Sequence, residues 1–112
     1  MPNCGMKESN NYQDLAWQLG FNTLEMVNRM SNAEFKELGD EMMKTARQVS
    51  GGTDLGTQKE MYDAYSRCLR LMSYLQAVEE MGIISSAEYR DFEIQILSLT
   101  QRLQQMYTSA QC

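Results

Sequence analysis

Five times along the chain a small polar residue is followed three positions later by an acid: Asn11 with Asp14, Asn22 with Glu25, Ser31 with Glu34, Thr57 with Glu60 and Ser85 with Glu88. In such a capping box the first side chain accepts the N–H of the third helical residue, whose own side chain reaches back to the N–H of the cap. Each pair marks a place where a helix can start. Three pairs also carry an apolar staple across the cap, Phe21 with Met26, Met30 with Phe35 and Ile84 with Tyr89, which fixes how the chain enters the helix. The sole proline is Pro2, so nothing further along forbids a helix interior. These signals predict helices over 12–19, 23–30, 32–49, 58–81 and 86–108.

Helix stops agree with the starts. Gly20 and Gly82 stand where a left-handed residue can close a helix. The stretch Ser50-Gly51-Gly52-Thr53-Asp54-Leu55-Gly56 reads as the one long loop, and residues 1–10 as a flexible tail ahead of a single domain over 11–112. The expected architecture is all-α: a small helical bundle of four to five helices, arranged as two helical hairpins about the loop, with the first helix split near Gly20.

Periodicity assigns each helix a buried face. In 58–81 the row Met61, Ala64, Tyr65, Cys68, Leu71, Met72, Leu75 and Val78 recurs at three per seven, the pattern of a helix inside a bundle. In 86–108 the row is Tyr89, Phe92, Ile96, Leu99, Leu103 and Met106. Segment 32–49 has a narrower row, Phe35, Leu38, Met42, Ala46 and Val49, which predicts a place at the edge of the bundle. The hexapeptides 33–38 and 87–92 match in residue type at each position. We read this as one local problem, starting an amphipathic helix, solved twice.

Composition narrows the chemistry. A chain of 112 residues builds one core, and 43% hydrophobic with 22% charged residues is ordinary for a globule. The chain contains no histidine, the commonest general base and a usual ligand of zinc and haem. Three cysteines, Cys4, Cys68 and Cys112, have neither metal spacing nor an even count, and they suggest a reducing compartment. Cys68, inside an apolar row, reads as a small buried hydrophobe. The glycines of 50–56 lack the Gly-Lys-Ser/Thr of a phosphate-binding loop. The expectation is a non-catalytic chain without metal or cofactor. No apolar run approaches the roughly 20 residues of a membrane span, and no signal-peptide core follows Met1, so the reading is cytoplasmic.

Residues 12–30 resemble the helix-turn-helix of bacterial transcription regulators. Ala16 and Gly20 match the small residue and the turn glycine of that motif, and Leu15, Leu19, Phe21 and Met26 match its apolar positions. The resemblance implies a DNA-binding regulator. Against it, the segment that would read bases, 23–30, holds one arginine and one acid, and Arg29 stands where the motif has an apolar residue. A net charge of -5 also opposes phosphate contact. In size and charge the chain resembles small acidic helical inhibitors from phages and mobile elements, which implies mimicry of a nucleic acid toward a basic nucleic-acid-processing enzyme.

The residues most informative about function are apolar ones off the core rows. At 100° per residue Ile94 and Leu97 oppose the row of the last helix, and Trp17, Phe21 and Leu24 oppose Tyr12, Leu15, Leu19 and Met26 if 12–30 is continuous. Exposed together, such groups form a binding face. Glu37, Asp40 and Glu41 supply an acidic rim, apart from intrahelical pairs expected at Asp40–Lys44 and Asp63–Arg67. The sequence therefore points to a small acidic protein-binding module, a regulator or inhibitor of a larger protein partner. Trp17, Phe21, Leu24, Ile94, Leu97, Glu37, Asp40 and Glu41 are its candidate contacts, with a homodimer as one form of that association.

Overall fold

The computed structural model describes residues 6–30, 35–51 and 55–109. Four helices account for most of them: α1 (Met6–Asn28), α2 (Lys36–Gly51), α3 (Gln58–Glu80) and α4 (Ser86–Ser109). Helix α1 packs on α2 and α4, and α3 packs on α4 and α2, so each helix has two neighbours and the diagonal pairs stay apart. This is a four-cornered bundle made from the consecutive pairs α1–α2 and α3–α4. Helix α2 occupies a full corner, with Gly39, Met42, Thr45, Ala46 and Val49 buried, where its narrow row had suggested an edge.

Two of the five cap signals operate as caps. Thr57 accepts the Glu60 N–H at 3.1 Å, and the Glu60 carboxylate accepts the Thr57 N–H at 3.0 Å. Ser85 and Glu88 make the same exchange at 3.1 and 3.4 Å. Between these starts, α3 ends at Met81 and Gly82. The N–H of Ile83 reaches the Val78 carbonyl and that of Gly82 the Glu79 carbonyl, both at 2.9 Å, while Gly82 sits at φ +77. That double bond is a Schellman stop, and the left-handed residue it requires is why a glycine stands there. The pair Ser31–Glu34 lies outside the described residues, as do Cys4 and Cys112 and part of the 50–56 loop.

The first helix is not split. Helix α1 runs unbroken past Gly20 and begins at Met6, within the stretch that reads as a tail. Asn11 and Asn22 therefore lie inside a helix and cap nothing. Asn22 instead donates to the Gln95 side chain of α4 at 3.1 Å and accepts from Gln18 at 3.4 Å. Gly20 has a packing role. A Cβ built on it would stand 2.7 Å from Ser50 Cβ, 3.0 Å from Ser50 Oγ and 3.2 Å from the Ala46 carbonyl. The absent side chain lets α2 approach the backbone of α1, and a glycine that resembled a turn is a place of close contact between two helices. With no break at Gly20, the turn that a helix-turn-helix needs is absent.

The core follows the predicted rows. Tyr12, Leu19, Met26, Met42, Leu71, Leu75, Ile96 and Leu99 are among its fully buried side chains. Two buried threonine hydroxyls are satisfied by their own helices: Thr23 Oγ1 donates to the Leu19 carbonyl at 2.8 Å and Thr100 Oγ1 to that of Leu97 at 3.1 Å. The ion pairs among the described residues are Arg29–Glu88 at 2.6 Å, joining α1 to α4, and Lys59–Asp63 at 3.0 Å. Asp63 thus turns to the lysine one turn before it, and the expected Asp63–Arg67 pair does not form.

Gly20→Ala tests the close approach. In an ordinary helix interior this change gains about 0.8–1.0 kcal/mol. Here the added methyl meets the Cβ of Ser50, which cannot swing aside, so urea titration should show a net loss of about 1–2 kcal/mol. A gain would mean that α1 and α2 do not meet at Gly20.

Candidate functional site

The continuity of α1 decides where its outer apolar groups go. Asn22 faces α4 and Gly20 faces α2. Counting 100° per residue, Trp17 and Leu24 lie about 40–60° around the helix from Gly20, and Phe21 about 100°. Trp17 and Leu24 lie about 140–160° around the helix from Asn22, and Phe21 about 100°. Trp17 is 63% exposed and Phe21 49%, and Leu24 is half-buried on the same flank. The two rings stack with centroids 5.7 Å apart and planes 13° from parallel. This stacked pair is an apolar plate of one turn, standing on the α2 side of α1.

Ile94 and Leu97 belong to another face. Gln95 points at α1, and Ile94 and Leu97 lie about 100° and 160° around α4 from it. They are 57% and 51% exposed. The five apolar residues that periodicity singles out are thus divided between two corners of the bundle, with the Asn22–Gln95 and Arg29–Glu88 contacts between them.

The carboxylates Glu37, Asp40 and Glu41 are exposed on the first turns of α2. Helices α1 and α2 run antiparallel, with Gly39 beside Val27 and Gly20 beside Ser50. The three acids therefore stand level with the end of α1, beyond Leu24, and about two turns from the Trp17–Phe21 pair. Lys44 and Arg47 lie closer to that pair in the same register. The rim is mixed beside the aromatic plate and acidic only past it.

A third apolar feature was not singled out by periodicity. Between the start of α3 and the end of α4 lies a groove of about 400 Å³ lined by Met61, Tyr62, Tyr65, Leu103, Gln104, Tyr107 and Thr108. Tyr62 is 69% exposed and Tyr107 also faces out. Each helix alone gives no signal of it, since the groove exists only where the two helices meet. The lining carries no formal charge.

Titratable groups with a clear environment are few. Cys68 is buried in the core and paired with the Tyr12 hydroxyl; burial pushes its thiol up to about 12 and also raises the Tyr12 hydroxyl. A thiol so far from its anion is a poor nucleophile at neutral pH. Among the described residues no three cysteine or carboxylate side chains are grouped to hold a metal ion. No helix is long and apolar enough to cross a membrane, counted over the described residues. Compared with family models, curated proteins and solved structures, the chain matches none of the three.

Two outcomes follow from these environments. With Cys4→Ser and Cys112→Ser in place, Cys68 should resist an aromatic disulfide reagent at pH 8 in native buffer and react once urea unfolds the chain. Rapid stoichiometric labelling of the folded protein would contradict its burial. The Arg29 guanidinium beside Glu88 holds that carboxyl below the usual carboxylate range. A pKa depressed by folding adds stability above the unfolded value, lost as pH falls through the folded one. Arg29→Gln should raise the Glu88 titration, followed by NMR, back toward that of a free carboxyl and flatten the acid limb of the stability curve. Because both groups are largely exposed, the neutral-pH stability should change little.

Proposed function

We propose that this chain is a small non-catalytic protein-binding module, a regulator or inhibitor that engages a larger partner through the Trp17–Phe21 face. The observation that carries the reading is the stacked, solvent-facing pair of aromatic rings on an unbroken helix. A Trp and a Phe held parallel in water, with Leu24 beside them, present rigid apolar area. Little side-chain entropy remains to be lost when a pocket covers them. Buried aromatics of this type dominate binding energy at protein interfaces. A monomer gains nothing from leaving them out.

Charge gives the partner its sign. A net charge of -5 and the exposed Glu37, Asp40 and Glu41 favour a partner with a basic surface around an apolar pocket. Such charges act mostly on the rate of encounter. A basic nucleic-acid-processing enzyme is one partner of this description, with the carboxylates of α2 standing where phosphates would. The supporting observation for that narrower reading is the clustering of the three acids on two turns of one helix.

The test uses immobilised chain as bait in an extract of its own cells, read by quantitative mass spectrometry. Trp17→Ala with Phe21→Ala should leave the circular dichroism spectrum unchanged, since both rings are exposed, and should abolish retention of a protein that the unaltered chain holds. Truncating an aromatic anchor costs about 2–4 kcal/mol, or roughly 30- to 1000-fold in affinity. Glu37→Gln, Asp40→Asn and Glu41→Gln together should slow association with that protein and reduce its salt sensitivity, with the dissociation rate nearly unchanged. If no retained protein distinguishes the aromatic double variant from the unaltered chain, the Trp17–Phe21 face is not a binding site.

A further inference from the structure

Helices α1 and α4 lie side by side in a fixed antiparallel register. Asn22 bonds Gln95 and Arg29 bonds Glu88, and in both pairs the positions sum to 117. Two turns nearer the start of α1, Leu15 lines a small cleft with Gln101 and Arg102, which continues the same register. Tyr12 and Met106 are still buried beyond it, so the two helices remain packed to that level. Extended to the two cysteines outside the core, the same sum sets position 112 level with position 5, one from Cys4. Two thiols separated by 108 positions in the chain are assigned to one end of one helix pair.

The reach can be checked from both sides. Cys4 stands two positions before Met6, where α1 begins, and Cys112 three after Ser109, where α4 ends. Met6 and Ser109 differ by two steps in the register, about 3 Å of rise, and packed helix axes lie about 8–10 Å apart. Five connecting steps of chain span at most about 17 Å, and a disulfide needs Cα atoms about 4.4–6.8 Å apart. The gap closes without moving either helix. Cys68 does not compete, since it is buried in the core.

We propose that Cys4 and Cys112 form a reversible disulfide, a redox clasp between the start of α1 and the end of α4. The oxidant is a small-molecule disulfide such as oxidised glutathione. One protein thiolate attacks it, forming a mixed disulfide and releasing one glutathione thiolate. The second protein thiolate attacks the protein sulfur of that mixed disulfide, forming the Cys4–Cys112 bond and releasing the other. Two cysteines are oxidised, one glutathione disulfide is reduced to two thiols, and the two protons that the cysteines lose end on glutathione. A reducing pool runs the exchange backwards, so a clasp of this kind follows the thiol balance around the chain.

The fold and the bond support each other. The ring closed by the clasp takes in nearly the whole chain, and long rings restrict the unfolded state most. By linkage, whatever factor the bond adds to folding, folding adds to the bond. Neither cysteine belongs to the Trp17–Phe21 face, so this inference does not rest on the partner-binding reading.

The test equilibrates the unaltered chain with mixtures of reduced and oxidised glutathione, in native buffer and in concentrated urea. Trypsin, cutting after Lys7 and Arg102, should then release segment 1–7 joined to segment 103–112, with Cys68 reduced in its own segment 68–70. The glutathione mixture at half-formation gives the effective concentration of one thiol at the other. It should be about 30- to 1000-fold higher in native buffer than in urea. Oxidation should move the urea midpoint of the unaltered chain upward and leave that of Cys112→Ser in place. Equal effective concentrations in the two solvents overturn the proposal, because the bundle then does nothing to bring the thiols together. So does a main product that links Cys68 to either cysteine, or one that links two copies of the chain.

Discussion

The near-contact of two backbones at Gly20 governs the layout of this bundle. Because position 20 has no side chain, Ser50 and Ala46 of α2 come against the main chain of α1, and the hairpin closes at that distance. An unbroken α1 then follows, since a bend there would withdraw the surface on which α2 sits. From that single straight helix the remaining directions are fixed by counting. Leu19, Thr23 and Met26 turn inward, Asn22 and Arg29 turn to α4, and Trp17 and Phe21 are left facing water. A kinked α1 would have folded the two rings toward the core and left no aromatic surface to explain.

Local chemistry was legible where one local solution was cheapest. Thr57 and Ser85 cap helices, and Gly82 adopts the left-handed stop, because the hydrogen bonds involved lie within a few residues and no distant partner competes for them. The same residue types misled where tertiary structure claimed them. Asn22 has the spacing of a cap, but its amide is engaged by a glutamine 73 positions away. Gly20 has the look of a stop, but its missing methyl is what α2 requires. Core rows in α3 and α4 were readable because burial on one side imposes a strict period. That Ile94, Leu97, Trp17 and Phe21 lie off those rows was equally readable. That they occupy two corners was not, since a period defines angles within a helix and says nothing about where its neighbours stand. Tyr62 and Tyr107 escaped notice because each looks unremarkable on its own helix and the groove exists only between the two.

Two outward surfaces of different character therefore coexist on a chain of modest size. One is aromatic, rigid and bordered by mixed and then acidic charge. The other is aliphatic at its centre and amide-rich beyond it, with the exposed Asp91 on its flank. The interior between them is chemically quiet: its thiol is buried against a phenol, and buried Thr23 and Thr100 bond to the preceding turn of their own helices. Interest in this molecule lies on the outside, and the inside serves to hold α1 and α4 at fixed rotation.

That fixed rotation has a consequence for how the chain finds its native arrangement. Helix α4 is oily on opposite sides, so a collapsing chain could seat it turned by about half a revolution, with Ile94 and Leu97 inward and Ile96 and Leu99 in water. What disfavours the inverted seating is the remainder of the outer row: Arg90, Gln101 and Gln104 would then enter an apolar interior with no partners. The amides that give the outer face its gentle polarity thus double as a rotational latch, and swapping them for leucines would cost the bundle its single answer before it cost any stability.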